Sequence, residues 1–232
     1  MNIDNWNCYL KLDDQGQFRC MSQQTYEPLI NKEGTIFCAN YDWQNKYQCR
    51  EGIRSRYTEQ VVDFFFKKEV DSVLTNKDKP YAPEIIDIDY TNKRLYYKWY
   101  GETCNDIVYS NRRLTDYCAN WKDQLSNILL DLYNNGTYKL TMYSHCHIID
   151  PEGQLRTIDW YGCVPVADPV IEAEYMEAIV HGTAIHRIQE VKTDKGYDLS
   201  KMFKRSLGNF VKWGYEDLDF IYKAMFKESS NA

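Results

Sequence analysis

The sequence predicts an α+β protein with a sheet-rich first lobe and a shortened helical second lobe. Short alternating runs crowd the first 100 residues around one amphipathic helix. A second strong helix then leads into a hairpin with a Pro-Glu-Gly turn, and about 70 residues of period-3.6 patterning follow. The boundary is expected near Gly101, giving 1–100 as the strand-bearing lobe and 101–232 as the helical one. At 232 residues the chain can build one sizeable core or two lobes folded against each other.

In the first lobe, CYLKL and QFRCM are expected as strands around Asp-Asp-Gln-Gly, and TIFCANY as another after Glu33-Gly34. A helix is expected from its N-cap Thr58 to about Leu74. Val62, Phe65, Phe66, Val70 and Val73 share one stripe of it, and Glu69 falls on that stripe. A glutamate facing inward needs a cationic or hydrogen-bonding partner, because an unpaired buried charge is costly. Lys77-Asp-Lys-Pro80 reads as a loop, and EIIDIDY and RLYYKWY form a hairpin around Thr91-Asn92-Lys93.

Beyond the Gly101 connector, a helix from Asn120 carries Trp121, Leu125, Ile128, Leu129 and Leu132 on one face and stops at Asn134-Asn-Gly136. The sequon Asn135-Gly-Thr137 therefore reads as a helix-ending turn. CHIID and QLRTIDW flank Pro151-Glu152-Gly153, a tight turn that Asp150 initiates. Three further helical stretches follow, one of them 171–190, where His181 and His186 read as packing or surface residues.

Composition narrows the partners. Hydrophobic content of 44% and charged content of 27% are ordinary for a soluble globular chain. A net charge of -6 and a pI near 5.3 argue against a broad nucleic-acid or anionic-membrane surface. The 20 tyrosines suit packing and half-buried sheet positions better than an RNA stacking platform. MNIDNWNCYLKLDD has neither the basic nor the apolar region of a signal peptide, and no run is long enough to cross a bilayer. The eight scattered cysteines, with no CxxC pair, read as reduced cytosolic thiols, and a cytoplasmic location is expected.

The chemistry-bearing stretch is MYSHCHIIDPEGQLRTIDWYG, residues 142–162. His145, Cys146 and His147 are candidate soft metal ligands. On a strand, however, 145 and 147 would point to one face and 146 to the other, so all three converge only at a bend. A structural or site-lining role is the competing reading, and the one the spacing favours. His145 or His147 could also accept a proton, since imidazole is poised near neutral pH, the alternative being hydrogen-bonded loop histidines. Asp159 is either a turn residue after its strand or a metal ligand. Cys163 reads as a small buried thiol.

FFFKKEVDSVL, PEIIDIDYTNKRLYYKWYGET and HIIDPEGQLRTIDWYG, in this order, resemble the protein-kinase-like superfamily with its small aminoglycoside-phosphotransferase and atypical relatives. The Tyr-x-His-Cys segment followed by Ile-Asp-Trp-Tyr-Gly also resembles small kinase-like proteins of large tailed phages of cyanobacteria. The resemblance implies a two-lobed kinase-like fold, with Glu69 as the helix glutamate that pairs with a strand lysine. It implies that Trp99 and Tyr100 lie at the adenine hinge and that Asp159-Trp160-Tyr161-Gly162 stands for Asp-Phe-Gly. ATP with magnesium or manganese is the implied cofactor, held mainly by Asp159. Counting back without gaps, Cys146 takes the place of the second metal ligand, normally asparagine, and Thr141 that of the catalytic-base aspartate. Lys139-Leu140 replaces the His-Arg before that base, and no glycine-rich loop surrounds Gly16 or Gly34. Lys46 is the nearby candidate for the strand lysine, with Arg50, Arg54 or Arg56 as substitutes.

Two functions are therefore expected from different classes. One is a pseudokinase-type module that keeps the fold, with or without a nucleotide, and acts by contacting a protein partner, in the host cytoplasm if phage-encoded. The other is an atypical phosphotransferase or nucleotidyltransferase using ATP and a divalent ion. A virion or host-interaction scaffold is the third. The losses at the base, the asparagine, the glycine loop and the lysine favour the module.

Overall fold

A computed structural model describes residues 1–8, 27–41, 59–139 and 141–165. The expected strand QFRCM, the cap Thr58, the cations Lys46, Arg50, Arg54 and Arg56, and the helices bearing His181 and His186 lie outside these residues. The chain divides into two compact units, Met1–Glu102 and Thr103–Ala232.

The first unit is built on a five-stranded antiparallel sheet. Its strands are β1 (Asn7–Cys8), β2 (Glu27–Ile30), β3 (Ile36–Asn40), β4 (Ile85–Asp89) and β5 (Arg94–Lys98), in the spatial order β1-β2-β3-β5-β4. Asn31 builds the β2–β3 turn, its Oδ1 accepting from the backbone N–H of both Thr35 and Ile36 at 2.8 Å, while Gly34 supplies the positive φ of 69°. Helix α1 (Glu59–Thr75) buries Phe65, Phe66, Val70 and Val73 of the expected stripe, together with Glu69.

Both faces of the central strands are covered. On one face Cys38 and Tyr96 pack with Ile3 and Leu29, and Trp6 closes that cluster. On the other, Phe37 stacks on Tyr97 and Trp99, and Tyr97 reaches α1 through Glu69. That is why the middles of the two strands, residues 37–39 and 95–97, read as continuous apolar runs and are buried at every position.

In the second unit, α2 (Cys104–Tyr109) starts with a capping box. Thr103 Oγ1 accepts from the Asp106 N–H at 3.2 Å, and Asp106 Oδ2 accepts from the Thr103 N–H at 3.1 Å. Helix α3 (Trp121–Asn134) buries Trp121, Leu125, Ile128, Leu129 and Leu132 and ends at Asn135 and Gly136, the latter at φ 79°. Two short antiparallel pairs follow: β6 (Thr137–Lys139) with β9 (Cys163–Pro165), and β7 (His147–Ile149) with β8 (Leu155–Thr157).

The β7–β8 turn is closed by Asp150, as expected. Its Oδ1 accepts from the N–H groups of Glu152 and Gln154, and its Oδ2 from Arg156 Nε at 2.8 Å. Gln124 of α3 pins this hairpin, donating to the Gly153 carbonyl at 3.0 Å and accepting from the Leu155 N–H at 2.7 Å. The described elements make an α+β arrangement, as expected. No helix among the described residues is long and apolar enough to cross a membrane.

Candidate functional site

The β7–β8 hairpin carries the residues on either side of it into one cluster. Before it, Ser144–Cys146 form a single 3-10 turn, with the Cys146 N–H donating to the Tyr143 carbonyl at 2.8 Å. After it, the Ile158 N–H donates to the Cys146 carbonyl at 2.8 Å, so the two flanks are stitched together immediately before Asp159. Asp159 itself sits in the left-handed region, at φ 68° and ψ 51°. For a residue with a Cβ that conformation is sparsely populated, though aspartate tolerates it better than most.

Three contacts hold it there. Thr141 Oγ1 donates to the Asp159 carbonyl oxygen at 2.6 Å. The Cys146 thiol donates to Asp159 Oδ2 at 3.1 Å. The following 3-10 turn, Trp160–Gly162, is anchored by the Trp160 indole N–H on the Thr157 carbonyl at 2.9 Å. Asp159 is 3% exposed, and its other oxygen, Oδ1, is buried with no hydrogen-bond partner. A buried carboxylate oxygen left without a donor is costly and calls for a cation or a donor from outside the chain.

Thr141 is itself held from behind. The Lys139 ammonium, buried in β6, donates to both the Thr141 carbonyl (2.7 Å) and its hydroxyl oxygen (2.8 Å). The Thr141 hydroxyl thus accepts from an ammonium and donates to a carbonyl. The linkage was invisible in the sequence, where Thr141 and Lys139 register only as departures from the family's motif.

The ligating atoms of His145, Cys146 and Asp159 lie within 4.8 Å of one another. This corrects the expectation that strand alternation would turn 145 and 146 to opposite faces. The segment is a 3-10 turn at that point, and β7 begins only at His147. Half-buried His145 stacks on Tyr143 with ring centroids 5.2 Å apart. Burial pushes its pKa down, assisted by Lys139 and opposed by Asp159 and Asp106.

His147 goes elsewhere. It is fully buried, its Nδ1 lies 2.9 Å from the Tyr143 carbonyl oxygen, and burial drives its pKa down to about 3. With a carbonyl opposite it, Nδ1 carries the proton. This is a structural histidine that ties the turn to the strand. It joins neither the cluster nor any proton-accepting position beside Asp159.

In the first unit, Glu69 is fully buried. The Tyr97 hydroxyl donates to its Oε1 at 2.8 Å, and the Tyr41 hydroxyl lies 3.4 Å from its Oε2. Tyr97 and Tyr41 are thus two hydrogen-bonding partners of Glu69 among the described residues. Trp99 is buried against Phe37 (5.1 Å, nearly parallel), and its backbone N–H donates to the Thr35 carbonyl at 2.8 Å. That N–H belongs to the sheet, so the hinge expected at Trp99 and Tyr100 has its first donor already engaged. The Tyr100 hydroxyl reaches Glu84 Oε2 at 3.2 Å, and Gly101 follows at φ 104°.

Neither a family model nor a curated protein matches the chain. Solved structures do. A structure of WbdD with a kinase inhibitor aligns with 88% of this chain and 49% of its own, at 12% identity and a TM-score of 0.44. A structure of the bifunctional kinase-methyltransferase WbdD aligns with 79% of this chain and 43% of its own, again at 12% identity and a TM-score of 0.44. The chain spans about half the length of the solved structures it matches. So distant a likeness assigns neither a family nor an activity. The α+β order of the described elements stands on the chain's own strands, helices and turns.

Proposed function

We propose that this chain is a degenerate kinase-like protein, a pseudokinase-type module that acts by binding a protein partner and holds a nucleotide without turning it over. The observation that carries the proposal is the state of Thr141. At the position the resemblance gives to the catalytic base stands a hydroxyl already donating to the Asp159 carbonyl and accepting from Lys139. It has no free basicity with which to take a proton from an incoming hydroxyl. Its work is to hold the backbone of Asp159.

ATP is the nucleotide this reading expects, with magnesium or manganese. In the first unit Glu69, Trp99 and Tyr100 are the residues the resemblance gives to the nucleotide, and in the second unit Asp159 is the one it gives to the metal. Asp159 fits that part, since its orphaned Oδ1 is a hard oxygen ligand awaiting a cation. Cys146 does not fit it, because magnesium is an ion of oxygen ligands and a thiol is a poor substitute for the asparagine carbonyl. If the chain is phage-encoded, the host cytoplasm is the place of action this reading expects.

The second reading, an atypical phosphotransferase or nucleotidyltransferase, is favoured by one observation. His145 clusters with Asp159, and its pKa is pushed down, so it stands as a neutral imidazole able to accept a proton. Thermal melts with ATP, GTP or ADP, with and without magnesium or manganese, test the module. A metal-dependent rise in Tm that Asp159→Ala abolishes supports a nucleotide site. No shift with any combination, in a folded protein, removes nucleotide from the proposal. Phosphate or nucleotide transfer by the wild type would replace the module with the enzyme.

A further inference from the structure

We propose that His145, Cys146 and Asp159 form a site for a thiophilic divalent ion of the zinc or cobalt class, in preference to magnesium. The inference stands on the donor set alone and holds whether or not a nucleotide binds.

The three donors are an imidazole, a thiol and a carboxylate, all within 4.8 Å of one another, with Cys146 Sγ already 3.1 Å from Asp159 Oδ2. Zinc bonds to sulfur at about 2.3 Å and to nitrogen or oxygen at about 2.0–2.2 Å, which puts tetrahedral ligand atoms roughly 3.3–3.7 Å apart. The widest pair in the cluster has to close by only about an ångström to reach that spacing. A separate observation points the same way. Asp159 Oδ1 is buried and lacks any hydrogen-bond partner, in a residue at a left-handed φ whose carbonyl Thr141 grips. Strain and an orphaned oxygen at one residue are what a ligand from outside would offset.

The ion's class follows from softness. Cobalt and zinc accept imidazole, thiolate and carboxylate together, whereas magnesium wants six oxygens at nearly octahedral angles. Binding replaces the Cys146 S–H···Asp159 hydrogen bond by two metal–ligand bonds, and the thiol proton leaves to the buffer. The local field is mixed. Asp159 and Asp106 favour a cation beside His145, and Lys139 opposes one. Three protein ligands leave a tetrahedral ion one open position, the pattern of sites that take a water or an outside ligand rather than purely structural ones.

The test uses cobalt(II) added to the full chain after chelator treatment, with no nucleotide present. The expected result is a thiolate-to-cobalt charge-transfer absorption that saturates at one ion per chain. One proton should be released per ion, and zinc, but not excess magnesium, should displace the cobalt. Cys146→Ser abolishes that absorption, and His145→Ala, a change at a half-buried position, weakens cobalt binding by roughly tenfold or more. A folded wild type with no thiolate absorption overturns the site. So does an absorption undiminished in Cys146→Ser, which would place the metal on other cysteines. Because nucleotide is absent, neither outcome depends on the nucleotide melts.

Discussion

A Cβ built on Gly162 would lie 2.5 Å from Thr141 Cγ2 and 2.6 Å from its Oγ1, and Thr141 is the residue that grips the Asp159 carbonyl. Gly162→Ala should therefore destabilise the protein by about 1–3 kcal/mol, the usual cost of forcing volume into a packed site. Thr141→Ala in the same chain should relieve part of that, so a denaturant double-mutant cycle should be clearly non-additive. His147 makes a prediction of a different kind. Its pKa of about 3 in the folded state lies below the ordinary 6.5, so the unfolded chain binds the extra proton between those values. Its contribution to stability is complete above pH 6.5 and is lost as pH falls toward 3, by up to about 1.4 kcal/mol per pH unit. His147→Asn keeps a donor where Nδ1–H stands and removes the titration, so its stability should fall less steeply over that window. Equilibrium unfolding at several pH values reads the difference. The sequence named both histidines and offered no means of separating them. What separates them is one turn of 3-10 helix that ends between 146 and 147.

Elements were legible where their period was long and their ends were marked. Helix α1 covers nearly the expected span and α3 ends on its Asn-Gly signal, because a stripe of four or five apolar residues fixes one buried face. The two hairpins were legible from Thr-Asn-Lys and Pro-Glu-Gly. Strand β2 was missed: Glu27-Pro28-Leu29-Ile30 is four residues long and contains a proline, which argues against a strand until its partner is known. The 3-10 turn at Ser144–Cys146 was missed for a related reason. Three residues show no period, and a long-range bond from Ser144 Oγ to Asn105 Oδ1 (2.9 Å) helps to place it. Gln124 shows how elements here depend on single polar groups, since its amide satisfies one carbonyl and one N–H of the β7–β8 hairpin. Gln124→Leu should cost about 2 kcal/mol, roughly two hydrogen bonds with their backbone partners left wanting. Hydrogen exchange at the Leu155 amide should quicken markedly, while amides in the middle of α3 change much less. Equal acceleration throughout the second unit would mean that Gln124 supports more than the hairpin.

At the scale of the whole molecule the sequence carried the α+β class and, among the described residues, most of the order of the elements. It did not carry activity, because activity turns on whether a handful of side chains converge, and convergence is long-range. Module and enzyme differ in one measurable respect. If the chain only holds nucleotide, a ligand present at 100 times its Kd stabilises the folded state by about 2.7 kcal/mol. For a chain of this size that corresponds to a rise in Tm of roughly 5–10 °C. Turnover then contributes nothing, and His145→Ala should keep the same rise and the same background of released phosphate as the wild type. If His145 is instead the proton acceptor of an enzyme, the same variant should keep the rise in Tm but lose about 10²–10⁴-fold in rate. The module predicts equal, near-zero rates in both proteins. A wild-type rate well above background that His145→Ala removes would turn the assignment from module to enzyme, with the fold unchanged.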